Sequence, residues 1–190
     1  MTNSADIVLK WISSKGWHLF PHQRDMLHSA DLPAQLLIAP TGAGKTLAGF
    51  LPTLAELASH PHQGLHTIYV SPLKALTADI KRNLMTPIHD LNLDIKVEDR
   101  TGDTSSHIKR RQRADPPQIL LTTPESLALL ISYPEATKIF AGVQRVLVDK
   151  IHALAESKRG DQLVLALSRL NGICPTLRRG GLSATVDDPQ

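Results

Sequence analysis

The residues best able to do chemistry stand together at Ala39-Pro40-Thr41-Gly42-Ala43-Gly44-Lys45-Thr46. Glycines at this spacing let successive backbone N–H groups turn inward toward phosphate oxygens. A helix opening at the end of such a loop adds the partial positive charge of its N-terminus. Lys45 is placed to reach β- and γ-phosphates, and the Thr46 hydroxyl to ligate Mg²⁺. Thr41, Gly42, Ala43 and Gly44 complete the candidate cradle, so the chemistry indicated is the holding of a Mg²⁺–nucleoside triphosphate. Two other clusters are weaker. His60, His62 and His66 lie beside Pro61 and Gly64 with no cysteine nearby, a pattern that reads as a polar loop before it reads as a metal site. Lys109-Arg110-Arg111 with Arg113 reads as a solvated helix face before a nucleic-acid contact.

A phosphate loop works only between a strand and a helix, and the flanking sequence supplies both. Leu36 to Ala39 is a short apolar run leading into the loop, and residues 45–59 form the expected helix after it, with Pro52 as a kink point. Further apolar runs, Thr67 to Val70, Ile119 to Thr122 and Val146 to Val148, predict strands. Ile95 to Val97 reads as a weaker strand, and a last strand ends at Leu182. The main runs do not alternate, as expected for strands covered on both faces of a parallel sheet. Helices are predicted over 73–91 with a break near Pro87, over 105–113, over 125–132, and around 161–170, with Leu163, Leu165, Ala166 and Leu170 on its apolar side. Ile7, Val8, Trp11 and Ile12 share a face of an N-terminal helix that Gly16 stops, and Trp11 and Trp17 read as packing residues. Strands and helices alternating in this way predict an α/β three-layer αβα sandwich with a mainly parallel sheet.

The 190 residues are enough for one domain with a core, and 42% hydrophobic with 21% charged residues is ordinary for a soluble globular chain. A net charge of +3 permits a nucleic-acid partner without arguing for one. Cys174 is the single cysteine, so neither an internal disulfide nor a cysteine zinc site can form. With no apolar span and no secretory leader visible, a cytoplasmic protein without membrane contact is expected.

Further short motifs follow the phosphate loop's order. Phe20-Pro21-His22-Gln23, Ser71-Pro72-Leu73-Lys74-Ala75-Leu76, Arg100-Thr101-Gly102-Asp103-Thr104, Thr122-Thr123-Pro124-Glu125-Ser126-Leu127, Val148-Asp149-Lys150-Ile151-His152 and Ser183-Ala184-Thr185 run across almost the whole chain. With the A-x-T-G-x-G-K-T form of the loop, this series resembles superfamily 2 DExH/DEAD-box helicases. Lys158-Arg159-Gly160 and the details of the other motifs make it similar to the Lhr-type branch, including the ligase-associated DExH helicases that imply DNA repair. The resemblance implies a RecA-like P-loop lobe over residues 1–190, the first of two, with the second lobe absent from the chain and expected in the full-length protein. It implies ATP and Mg²⁺ as cofactors and DNA as partner, with RNA as the alternative. Gln23 would read the adenine edge, for which an amide has both donor and acceptor. Asp149 would support Mg²⁺ with Thr46, and His152 would join Lys45 and Asp149 in catalysis. Ser71, Pro72, Lys74, Thr101, Gly102, Thr123 and Pro124 would contact the strand's phosphates, and Ser183 and Thr185 would couple nucleotide state to strand binding.

The chain departs from that pattern at the DExH box, where Lys150 occupies the position of the glutamate that positions and deprotonates the attacking water. An ammonium donates protons and accepts none. Hydrolysis is therefore expected to be impaired, unless a neighbour such as Glu156 substitutes. Gly180 stands where an apolar β-branched residue is usual, and glycine weakens a buried strand. The alternative reading is a non-enzymatic interaction module or a degraded gene fragment without nucleotide function.

Overall fold

The computed structural model describes residues 4–155 and 157–184. In chain order they form α1 (Ser4–Ser14), α2 (Pro21–His28), β1 (Ala34–Ile38), α3 (Lys45–Ser59), β2 (Thr67–Val70), α4 (Ala75–Asp90), β3 (Val97–Arg100) and α5 (Ser106–Ala114). The remainder is β4 (Ile119–Thr122), α6 (Pro124–Ile131), α7 (Ala136–Phe140), β5 (Arg145–Asp149), α8 (Ile151–Leu154), α9 (Lys158–Ile173) and β6 (Arg178–Ser183). All strand pairings are parallel, in the order β1-β6-β5-β2-β4-β3. Every residue of β2, β4 and β5 is buried, as their unbroken apolar runs require of strands sandwiched between helical layers. One core cluster gathers α1, α2, α3 and α4 against the sheet. The other gathers α6, α7 and α9.

Several expectations need correction. The third strand falls at Val97–Arg100, with the sequence VEDR, rather than at 95–97. This strand pairs only with β4, and an edge strand can leave Glu98 and Asp99 half-exposed, so no apolar run announces it. Helix α4 runs without a break through Pro87 to Asp90; that proline sits in the last turn, where its missing N–H removes a single rung. Helix α3 is likewise continuous across Pro52. Helix α9 is longer than expected, because the Ser157 hydroxyl caps it by accepting from the Gly160 N–H at 3.1 Å. Leu163, Ala166 and Leu170 are buried along it, whereas Leu165 is 72% exposed; two residues on from Leu163 is about 200° around a helix.

Gly180 is buried in β6, and a Cβ there would stand 2.6 Å from Cδ2 of Leu147 on the neighbouring strand. Glycine thus makes room for Leu147. No helix among the described residues is long and apolar enough to cross a membrane.

Candidate functional site

The ends of six parallel strands bring the motifs to one edge of the sheet, the side where open α/β sheets bind ligands. Strand β1 delivers the phosphate loop. Gly42 and Gly44 take φ of +84° and +69°, the left-handed backbone that glycine adopts at no steric cost, and Gly44 is the N-cap of α3. Lys45 Nζ donates to the carbonyls of Ala39 and Pro40, at 2.7 Å each. The loop is thereby closed on its own lysine.

Gln23 is 4% exposed and is committed to the protein itself. Its Oε1 accepts from the Phe20 N–H at 3.0 Å, and its Nε2 donates to the Gly44 carbonyl at 3.3 Å. A Cβ on Gly44 would stand 2.5 Å from that Nε2, so the second glycine of the loop also makes room for Gln23. The expected open adenine-reading edge is, in this structure, a strut between the start of α2 and the phosphate loop. His22 adds a second strut, with Nε2 2.8 Å from the Ala43 carbonyl. Neither α2 nor these struts was anticipated, although Pro21 at the first helical position and a glutamine three residues after Phe20 are a helix-start signal.

Strand β5 delivers Asp149, which is 8% exposed. Its Oδ1 accepts from the Lys150 backbone N–H at 2.9 Å, and its Oδ2 accepts from the Tyr69 hydroxyl at 2.7 Å. The Thr46 side chain lies beside the same phenol. Tyr69, which sequence reasoning missed, therefore stands against both oxygen groups expected at Mg²⁺. Burial and the Asp149 carboxylate push its phenol far above the ordinary tyrosine range, so the hydroxyl stays a donor. A carboxylate and a hydroxyl gathered at one phenol fit a hard, oxygen-preferring cation.

Lys150 adopts φ 52° and ψ 45° as the N-cap of α8, a left-handed conformation costing a non-glycine residue about 1–2 kcal/mol. Its contact with Asp149 is through the backbone. Lys150 lines the cavity of about 720 Å³ that is also lined by Lys45, Thr46, Asp149, His152, Trp11 and Trp17. His152 turns toward β6: Nδ1 lies 3.0 Å from the Ser183 hydroxyl and accepts from the Ala184 N–H at 3.3 Å. Accepting a backbone N–H assigns the proton of the neutral ring to Nε2. Thr185 and Glu156 lie outside the described residues.

The candidate strand-contacting residues follow β2, β3 and β4, three neighbours in the sheet. Ser71 is buried and its Oγ accepts from the Leu73 N–H at 3.3 Å. Thr123 caps α6 by accepting from the Ser126 N–H, with Pro124 as the first helical residue. Thr101 is buried, and Pro72 is buried beside Ser71. Gly102 is exposed and its carbonyl accepts from Lys109 Nζ at 2.9 Å. Lys74 is exposed and paired with Asp103 at 2.6 Å. Within the basic run, Arg111 makes two 2.8 Å bonds to Glu98, and Arg113 stacks over the Tyr133 ring at 4.2 Å. Much of that run is thus held within the protein. Trp11 is buried and anchored by its indole N–H to Asp90 at 3.1 Å, while Trp17 packs edge-on against it and is 51% exposed.

His62 and His66 meet ring edge to ring face at the opposite edge of the sheet. His66 Nε2 lies 3.4 Å from Glu56. Burial, then His62, Arg145 and Arg178, nevertheless push its pKa down to about 3, so the contact is not an ion pair at neutral pH. Among the described residues, no three His, Cys, Asp or Glu side chains are grouped to hold a metal ion.

Comparison with known proteins places this geometry. The DEAD/DEAH box helicase family profile matches residues 14–190. An ATP-dependent helicase Lhr-Core protein 2 from Thermococcus barophilus is 41% identical over 198 residues, covering 96% of this chain and 23% of the relative. The Lhr helicase/probable uracil glycosylase of Mycolicibacterium smegmatis is 46% identical over 169 residues, covering 82% of this chain and 11% of the relative. The chain thus spans less than a quarter of the length of either. The structure of the Mycobacterium smegmatis helicase Lhr bound to ssDNA and AMP-PNP matches 96% of this chain and 25% of that one, with a TM-score of 0.87 and 40% identity. The DEAD-box helicase Mss116, bound to ssRNA and UDP-BeF, has a TM-score of 0.77 at 22% identity over 90% of this chain and 36% of its own, and shares the fold. The αβα sheet order, the phosphate loop closed on Lys45 and the profile match together establish that the chain belongs to the DEAD/DEAH box helicase family, with the RecA-like lobe of Lhr-type helicases as the part it resembles.

Proposed function

We propose that this chain is the ATP-binding and nucleic-acid-binding lobe of an Lhr-type ATP-dependent DNA helicase, working with Mg²⁺ in the cytoplasm, and that Lys150 blocks its hydrolytic step. The observation that carries the reading is the pairing of an intact cradle with a base position that holds an ammonium. Lys45, Thr46 and Asp149 share one cavity with Lys150. With nucleotide bound, Lys45 would exchange the Ala39 and Pro40 carbonyls for phosphate oxygens, and Thr46 and Asp149 would hold Mg²⁺, which would supply charge neutralisation on the phosphates. Hydrolysis then needs water to attack the γ-phosphorus as the bond to the β–γ bridging oxygen breaks, and the water's proton needs an acceptor. Lys150 offers none, and Nδ1 of His152 is already an acceptor for the Ala184 N–H. Loss of general-base catalysis slows such a step about 10²–10⁴-fold.

The DNA assignment rests on the Lhr relatives. A second lobe in the full-length protein is supported by how much longer those relatives are, and a role in DNA repair follows only from the ligase-associated branch. Calorimetric titration of Mg²⁺–ATP into the chain, with Lys45→Ala as control, tests binding; single-turnover hydrolysis by the parent and by Lys150→Glu tests the block. Binding by the parent alone, with at least tenfold faster hydrolysis in Lys150→Glu, is expected. Equal hydrolysis rates in two ATP-binding proteins would refute the block. A folded parent that binds no ATP would favour the interaction-module reading.

A further inference from the structure

We propose that Asp103 is a built-in competitor for the nucleic-acid backbone: its carboxylate occupies the Lys74 ammonium and so sets how tightly this lobe holds a single strand. The inference rests on the reading of the Ser71–Lys74 and Thr101–Gly102 loops as strand-contacting.

Lys74 follows β2 and Asp103 follows β3, and these strands lie on either side of β4. Their separation is about 10 Å, two strand spacings, and the Lys74–Asp103 bond of 2.6 Å joins the segments that follow them. The fold does not need that bridge, because β2 and β3 are each hydrogen-bonded to β4 along their lengths. Helix α4 is tied down next to Lys74 by the Thr77 hydroxyl, which donates to the Lys74 carbonyl at 2.7 Å. The Asp103 loop is closed from its other side by Lys109, which donates to the Gly102 carbonyl, and by the Thr101 N–H, which donates to Thr104 Oγ1 at 2.9 Å.

Both members of the pair are open to solvent, at 63% and 72% side-chain exposure. An incoming phosphate oxygen can therefore reach the same ammonium, but finds its charge already balanced by the carboxylate. A lysine already neutralised in this way contributes little to the counterion release that drives backbone binding. Removing the carboxylate's charge restores one full ionic contact. For a single strand that steepens the dependence of log K on log salt by about 0.7, and an exposed pair shifts an equilibrium by up to about fivefold.

The experiment is fluorescence anisotropy of a fluorescein-labelled twelve-residue oligothymidylate, titrated with the parent, Asp103→Asn, Lys74→Ala and the double variant across a series of salt concentrations. Thermal melts of all four show that they are folded. The expected result is severalfold tighter binding and a steeper salt slope for Asp103→Asn, and no effect of that change where Lys74 is already alanine. Weaker or unchanged binding by Asp103→Asn, with Lys74→Ala weakened, would overturn the competitor role and leave the strand-contacting reading standing. Equal gains with and without Lys74 would also overturn it, because the effect would then be general charge. If Lys74→Ala binds like the parent, or nothing binds, the strand-contacting reading fails and the inference with it.

Discussion

Replacing Tyr69 by phenylalanine removes the oxygen atom that bonds to Asp149 at the proposed nucleotide site and leaves almost everything else in place. The ring sits on the central strand β2, fully buried, stacked on Phe50 with centroids 5.3 Å apart, and phenylalanine keeps that packing. What goes is the 2.7 Å donation to Asp149 Oδ2. Asp149, at 8% exposure, keeps only the Lys150 N–H on its other oxygen. A hydrogen bond to a buried charged group is worth about 1.5–3 kcal/mol, and a chain of this size loses roughly 2–4 °C of melting temperature per kcal/mol. The Tyr69→Phe melt, followed by circular dichroism, should therefore fall by roughly 3–12 °C. In a double-mutant cycle with Asp149→Asn, the two losses should be strongly non-additive. A melt within a degree of the parent, or losses that simply add, would refute the claim that the phenol holds the metal-side carboxylate.

Gly160→Ala places a Cβ against the Leu154 backbone carbonyl, which cannot swing away; a loss of about 1–3 kcal/mol by chemical denaturation is expected. Gly172→Ala in the same helix meets open space and should be neutral or stabilising by up to about 1 kcal/mol. His66 titrates near 3 when folded and near 6.5 when free, so between those values the unfolded chain binds the extra proton. Its contribution is complete above about pH 6.5 and is lost as pH falls toward 3, by up to about 1.4 kcal/mol per pH unit, and His66→Gln should flatten that slope in urea titrations at stepped pH. Glu56 accepts from Arg145, which is 1% exposed, at 2.7 Å and from Arg178 at 2.6 Å. Glu56→Gln strands a buried guanidinium at a cost of about 3–5 kcal/mol, and a melt close to the parent's would contradict this.

What was legible in the sequence was local. The phosphate loop is one run of consecutive residues whose backbone does the binding, and β2, β4 and β5 are short unbroken apolar runs, so both could be read without knowing what lay beside them. What was not legible depends on which strands are neighbours. Tyr69 reaches Asp149 across 80 positions, only because β2 lies next to β5, and nothing in Thr67-Ile68-Tyr69-Val70 distinguishes its tyrosine from a core residue. The type of Gln23 suggests a base reader, and only the fold shows that it also supports the loop through the Gly44 carbonyl. Strand β3 was misplaced because an edge strand tolerates Glu98 and Asp99.

Lys150 joins the two kinds of information. Its type, read from sequence, underlies the proposal that the proton acceptor is missing. Its geometry, visible only in the fold, shows that the group touching Asp149 is the backbone N–H, which any non-proline residue supplies. The Asp149 carboxylate is therefore held in place whatever non-proline residue follows it. Under the proposed function, a glutamate-to-lysine difference at the next position would leave the support of the binding site intact while taking away the base, so that binding and hydrolysis would separate at a single residue.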